Sequence, residues 1–240
     1  VLHIIVATAV PLFVVAGFWQ LNRLDQRRTR NALIRERESA PVRSLGDVLD
    51  DRDAEHRRVR VTGRYDTSEE VVLIGRPGTG GIDGSHVLTP LRIDEDDAVL
   101  VDRGWVPPGM EDPPLREAAP PDGEVTVTGI LEPTEGKSAL SSGGTHGELV
   151  DRIDVARLAS GSEHRFITTS LYVLLQEQDP EGKELPKVVE PLGLSEGPHL
   201  GYAVQWFLFI PTLLAVYVVL LRQQARRPRD QPVGNAGTTR

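Results

Sequence analysis

His199–Leu221 reads HLGYAVQWFLFIPTLLAVYVVLL, and the rest of the chain is organised around it. From Tyr202 to Leu221 no residue carries a charge, and twelve of these twenty are Val, Leu, Ile or Phe. Twenty helical residues rise about 30 Å, the thickness of a bilayer's hydrocarbon core. At about −0.3 to −0.6 kcal/mol each, the twelve aliphatic and Phe side chains outweigh the cost of Gln205 and Pro211. Arg222 ends the run. The stretch 202–221 is read as a membrane span.

A second apolar run opens the chain. Residues 1–22, VLHIIVATAVPLFVVAGFWQLN, hold no ionisable group except His3 before Arg23. A signal peptide has an apolar core of about 7–15 residues and then a small-residue cleavage site, and this run is longer and lacks such a site. It is read as a first span, with Pro11 as a point of kinking. The chain begins at Val1 without an initiator Met, so a preceding tail is expected.

Two spans put 23–201 on one side of the membrane and the basic tail 222–240 on the other. Arg222, Arg226, Arg227 and Arg229 argue for a cytoplasmic tail. The Arg cluster after the first span, from Arg23 to Arg37, argues the reverse, but a long loop is translocated largely regardless of its charge. Trp19, Tyr202 and Trp206 sit at the span ends nearest the middle segment, as an interfacial aromatic belt would. The expected location is a bacterial cytoplasmic membrane, with the central domain extracytoplasmic.

That central segment is acidic. Residues 44–201 hold 31 Asp and Glu against 15 Lys and Arg. Nucleic-acid binding needs the opposite sign, so it is excluded. There is no Cys, hence no disulfide and no thiolate metal site, and Met110 is the one sulfur. Cu(I) prefers sulfur ligands, so copper handling is not expected. No G-x-S-x-G elbow, P-loop or dinucleotide fingerprint occurs, and no catalytic residue is assigned.

Periodicity changes along the segment. Residues 23–40 continue the first span as a helix that Pro41 ends, and Ser44 is placed to cap a short helix through Asp50. Alternation of apolar and polar residues marks strands at 57–65 and 124–131. Further strand-like runs lie at 70–76, 86–93, 98–106 and 167–176, and 151–159 reads as a helix. Gly78, Gly80, Gly81 and Gly84, and then Pro107, Pro108 and Gly109, mark turns. Residues 136–147 form a Gly/Ser loop, and 179–198, with four prolines, run extended back to the second span. The fold class expected is an α+β membrane protein: two transmembrane helices flanking a β-rich domain, a small antiparallel sheet or partial barrel.

Three stretches in this order, GFWQLNR at 17–23, VLVDRGWVP at 99–107 and HLGYAVQWF at 199–207, resemble the signatures of the Surfeit locus protein 1 family. GSHVLTPL at 84–91 and DRIDVARLA at 151–159 also fit that pattern. The resemblance covers nearly the whole chain. It implies a cytochrome c oxidase assembly factor, with bacterial members binding haem a on its way to the catalytic subunit. The alternative is an accessory component docked on the oxidase that binds no haem. The family's proposed haem ligand is the His that opens the second span, here His199. The family usually has Asn before that His, whereas this chain has Gly197-Pro198.

Beside that resemblance stands what each residue can do. A neutral imidazole is a good axial ligand for haem iron. On a helix, Tyr202, Ala203, Trp206 and Ile210 share the face of His199, with Ala203 leaving room for a flat macrocycle and Trp206 able to pack on it. The plainer alternative is a polar residue ending the helix. Arg23 and Arg103 offer planar forks suited to haem propionates, Arg23 at the membrane boundary beside Trp19. Snorkelling by Arg23 and an ion pair of Arg103 with Asp102 or a neighbouring acid are the alternatives. Gln20 and Gln205 are placed to hydrogen-bond across the helix pair or to sit in the solvated interface. His56, His86, His146 and His164 lack metal-binding spacing and are read as surface residues.

Overall fold

The structure is a computed structural model that describes residues 1–78, 82–136, 149–191 and 193–226. The Gly/Ser loop beyond Gly136, Gly80 and Gly81, His146, and the tail beyond Arg226 with Arg227 and Arg229 lie outside the described residues. The chain divides into a helical unit, Val1–Asn31 with Leu194 onward, and a β unit, Ala32–Gly193.

Two long helices make the helical unit: α1, Leu2–Ser39, whose last part enters the β unit, and α4, His199–Arg226. Both are long and apolar enough to cross a membrane. Protein covers 11% of the most apolar window of α1 and 0% of that of α4, so neither is the core helix of a soluble domain. They run antiparallel. His3 Nδ1 meets the Tyr217 hydroxyl at 2.6 Å, Phe13 meets Trp206 at 5.7 Å between ring centroids, and Asn31 donates to the Ser195 carbonyl at 3.3 Å. At Gly17 the helices are in close contact: a Cβ there would lie 2.6 Å from the ring of Phe207. A small residue at the crossing is how apolar helices pack without a hydrophobic driving force. Pro11 and Pro211 lie within continuous helix.

In the β unit come, in order, β1 (Arg43–Ser44), α2 (Leu45–Leu49), β2 (Arg58–Tyr65), β3 (Val71–Pro77), β4 (Asp83–Arg92) and β5 (Asp97–Val106). They are followed by β6 (Val125–Pro133), β7 (Leu149–Val150), α3 (Val155–Gly161), β8 (Arg165–Phe166) and β9 (Leu171–Asp179). The strand order is β1-β2-β6-β9-β5-β4-β3-β7. An added pairing of Arg64 with Arg92 and Tyr65 with Leu91 joins β2 to β4. The path β2-β6-β9-β5-β4 therefore returns on itself as a small barrel. The sheet is mixed rather than antiparallel, because β5 and β9 pair in parallel at Val101–Val173. Alternation reveals which face a residue takes but not the direction of its neighbour strand.

The central strands β4 and β5 and the first half of β9 have no solvent face. Val99, Val101, Val173 and Leu175 enter one core with Val59, Val127 and α2. Ala98, Leu100, Tyr172 and Leu174 enter a second with Leu73, Leu88 and Val155 of α3. Thus β2, which faces protein on one side only, alternates, whereas β5 is buried from Ala98 to Val106.

Two boundaries and one cap differ from expectation. The last long strand begins at Leu171 rather than at residue 167, because Ser170 N–H donates to Thr168 Oγ1 at 3.4 Å in a local turn. The helix expected at 151–159 starts at Val155, since Asp154 caps it by accepting from Arg157 N–H at 3.1 Å. Ser44 precedes α2 but makes no side-chain cap bond.

Candidate functional site

The polar end of the helix pair gathers the residues singled out at 17–23 and 199–207. The chain enters α4 through Gly197, whose φ of +71° glycine adopts without strain. The Pro198 carbonyl then accepts from Tyr202 N–H at 3.1 Å, the first turn of the helix. Gly197-Pro198 therefore turns the chain, and His199 follows as the first helical residue.

His199 Nδ1 lies 2.9 Å from Gln20 Oε1. An amide oxygen only accepts, so Nδ1 carries a proton, and in the neutral ring Nε2 carries the lone pair. Nε2 has no partner among the described residues. The geometry resembles that of metal-ligating histidines, whose second nitrogen is oriented by an acceptor. Gln20 makes the bond across the helix pair that its position allowed, and its partner is His199; Gln205 is exposed.

Around this pair the aromatic residues are ordered. Trp206 meets Phe13 tilted and Phe209 edge-on, both at 5.7 Å between centroids, and Phe13 meets Phe209 at 5.6 Å. Trp206 is thus part of the packing of the pair. Ala203 is only 1% exposed, so the space beside it is filled by protein and does not open a slot for a macrocycle. Phe13 and Phe209 carry no distinguishing signal in the sequence, because any aromatic in a lipid-like run satisfies the apolar pattern equally.

Arg23 stays at the surface. Its guanidinium lies 5.6 Å from the Trp19 ring centroid and one nitrogen donates to Gln26 Oε1 at 3.3 Å. The remaining donors of the fork are available to a carboxylate. One turn and a half further on, Arg28 pairs with Glu196 at 2.9 Å, and that hydrogen bond and charge raise the guanidinium's pKa.

Arg103 belongs to the β unit, where it is 2% exposed. It donates to Glu70 Oε2 at 3.1 Å and to the Ala118 carbonyl, and stacks 5.2 Å over the Tyr65 ring. Glu70 also accepts from Leu115 N–H at 2.7 Å and from Thr89 Oγ1 at 3.3 Å. Burial holds Arg103 below its ordinary pKa and pushes Glu70 above its own, each partly offset by the other's charge. The ion-pair partner is Glu70, not Asp102, which accepts from His86 Nδ1 at 2.8 Å. With its fork engaged inside the unit, Arg103 presents no free face to a propionate.

The RGW sequence has its own structural role. Gly104 has φ +120°, and a Cβ there would lie 2.2 Å from the Lys187 carbonyl oxygen. Trp105 and Lys187 exchange N–H to carbonyl bonds at 2.8 Å each. The end of β5 thereby holds the proline-rich return segment.

His86 is buried on Asp102, His164 is bound to Asp66 at 2.9 Å, and His56 lies 3.3 Å from Glu132. None of the three is the free surface histidine expected from spacing.

A sequence model of the SURF1 family matches residues 7–210. The chain is 24% identical to a SURF1-like protein of Rickettsia felis over 224 residues, 92% of this chain and 96% of the relative. An uncharacterized SURF1-like protein of Mycobacterium tuberculosis is 30% identical over 217 residues, 86% of this chain and 76% of the relative. A SURF1-like protein of Monosiga brevicollis is 29% identical over 229 residues, 88% and 84% respectively. The matches run through the apolar part of α1, the β unit and α4 as far as Ile210, so the chain belongs to the SURF1 family.

Proposed function

We propose that this protein is an assembly factor for cytochrome c oxidase that holds haem a for the catalytic subunit. The observation that carries the reading is the His199–Gln20 pair, which leaves Nε2 as an unpartnered lone pair at the membrane boundary. Haem a bound there would supply an iron with a coordination position for an imidazole. His199 supplies that nitrogen, Gln20 orients the ring, and Arg23 beside Trp19 offers its fork to a propionate. No covalent step is assigned to the protein. The two helices anchor it and dock on oxidase helices within the bilayer.

We further propose that both helices span the cytoplasmic membrane with the β unit outside. Support comes from Arg222 and Arg226 at the end of α4 and the aromatic residues at the opposite end. A cysteine at the exposed Asp122 is expected to react with an impermeant reagent in intact cells, and one at Gln224 not to react. The reverse pattern would invert the topology.

The haem reading is tested by a Soret-region titration of the detergent-purified protein with haem a. His199→Ala is expected to lose axial coordination while remaining inserted, since 202–221 is untouched. Arg23→Ala is expected to keep coordination at affinity lower by about 1.5–3 kcal/mol, the range for a charge-assisted hydrogen bond. Unchanged binding by His199→Ala would remove the ligand assignment. Co-purification with the oxidase in that case would favour a haem-free docking role.

A further inference from the structure

Three groups far apart in sequence converge at one place in the β unit. Glu38 lies in the last turn of α1, His56 just before β2, and Glu132 near the end of β6. One nitrogen or carboxylate oxygen from each lies within 4.8 Å of the other two. All three side chains are partly buried. His56 has φ +61°, and its N–H donates to the Leu131 carbonyl at 2.7 Å, which fixes it next to Glu132.

His56 and Glu132 form a long pair, at a spacing that also suits two ligands of one ion. His86–Asp102 and His164–Asp66 close to 2.8 and 2.9 Å, the range of charge-assisted bonds. His56 Nδ1 instead stands 3.3 Å from each oxygen of Glu132. Two ligands on a tetrahedral zinc, each with a bond of about 2.0–2.1 Å, lie about 3.3 Å apart. Nor does a basic side chain supply the missing charge. Arg37 is engaged by Asp53 and the Glu55 carbonyl, and Arg57 by the Asp53 carbonyl. The Glu38 carboxylate has no hydrogen-bond or ion-pair partner among the described residues.

We propose that Glu38, His56 and Glu132 form a binding site for a divalent transition-metal ion of the zinc class. One imidazole nitrogen and two carboxylates are a donor set for zinc; calcium and magnesium take oxygen alone, and Cu(I) takes sulfur. Three protein ligands leave a fourth position to water. The ion ties the last turn of α1 to the place where the approach to β2 is laddered onto the end of β6. The site is separate from the His199–Gln20 pair and does not depend on haem.

The test is zinc titration of the tag-free, chelator-treated full chain in detergent, by calorimetry, with Co²⁺ as an optical probe of geometry. One equivalent of zinc is expected to bind, with the visible bands of tetrahedral cobalt and a rise in unfolding temperature on adding zinc. His56→Asn removes the imidazole yet tolerates the left-handed backbone. His56→Asn, Glu38→Gln and Glu132→Gln are each expected to weaken zinc at least tenfold and to abolish the thermal shift. Should His56→Asn unfold more easily without metal, Glu38→Gln, on a helix surface, decides the matter. Absence of stoichiometric binding, or equal binding by the wild type and Glu38→Gln, would overturn the site.

Discussion

Gln20 of α1 accepts a hydrogen bond from His199 of α4 across 2.9 Å, and this contact fixes which nitrogen of His199 is available. Gln20→Leu keeps the size and the apolar character of the helix while removing the acceptor. Outer partners of ligating histidines are worth about ten- to a hundred-fold in affinity. Gln20→Leu is therefore expected to weaken haem a binding by about that factor with the iron still ligated. His199→Ala should lose the ligated spectrum altogether. If Gln20→Leu binds as wild type in a Soret titration, the orienting role is wrong even if His199 is the ligand.

The sequence disclosed the two apolar helices fully, because a long run without charge suits a lipid interior and few water-exposed folds. It disclosed six strands to within a few residues, because alternation at 57–65 and 124–131 and the turn glycines are local signals. It could not disclose that β5 and β9 run parallel, or that β2 and β4 close the barrel at Tyr65–Leu91, because pairing partners leave no mark on local periodicity. The same limit applies to the site. His199 is a candidate through the family resemblance and Arg23 through its place at a span end; the contact of His199 with Gln20 is what the fold adds. Glu70 as the partner of Arg103, and Glu38 and Glu132 beside His56, are separated by 33, 18 and 76 positions, and only the fold brings them together.

Glu70 and Arg103 form a buried pair with side chains 1% and 2% exposed. Removing one partner leaves the other charge buried and unpaired, at a cost of about 3–5 kcal/mol. Glu70→Gln is expected to destabilise the β unit by that amount in urea unfolding, even though the amide still accepts from Leu115. The double variant Glu70→Gln with Arg103→Met should recover much of the loss, since no unpaired charge remains. If Arg103→Met instead leaves stability unchanged and reduces haem affinity, Arg103 serves a propionate and not the fold.

Asp66 supplies a pH dependence of known sign. Its carboxylate accepts from Ser68 N–H at 3.0 Å, from the Ser68 hydroxyl, and from His164 Nε2 at 2.9 Å. Burial alone would raise its pKa, but the Ser68 and His164 hydrogen bonds outweigh it and the value is lowered. A carboxyl with a lowered folded pKa contributes fully above its ordinary value, about 3.9, and loses that contribution as pH falls through the folded value. Asp66→Asn retains the shape but not the charge, and is expected to cost about 1–2 kcal/mol near neutral pH. The difference between wild type and Asp66→Asn in urea unfolding should shrink as pH falls below about 4, because the wild-type residue then becomes neutral as well. Other carboxylates lower the stability of both proteins in acid, so the difference between them isolates Asp66. A difference that stays constant from neutral pH into that acidic range would show that the Ser68 and His164 bonds do not depend on the charge of Asp66.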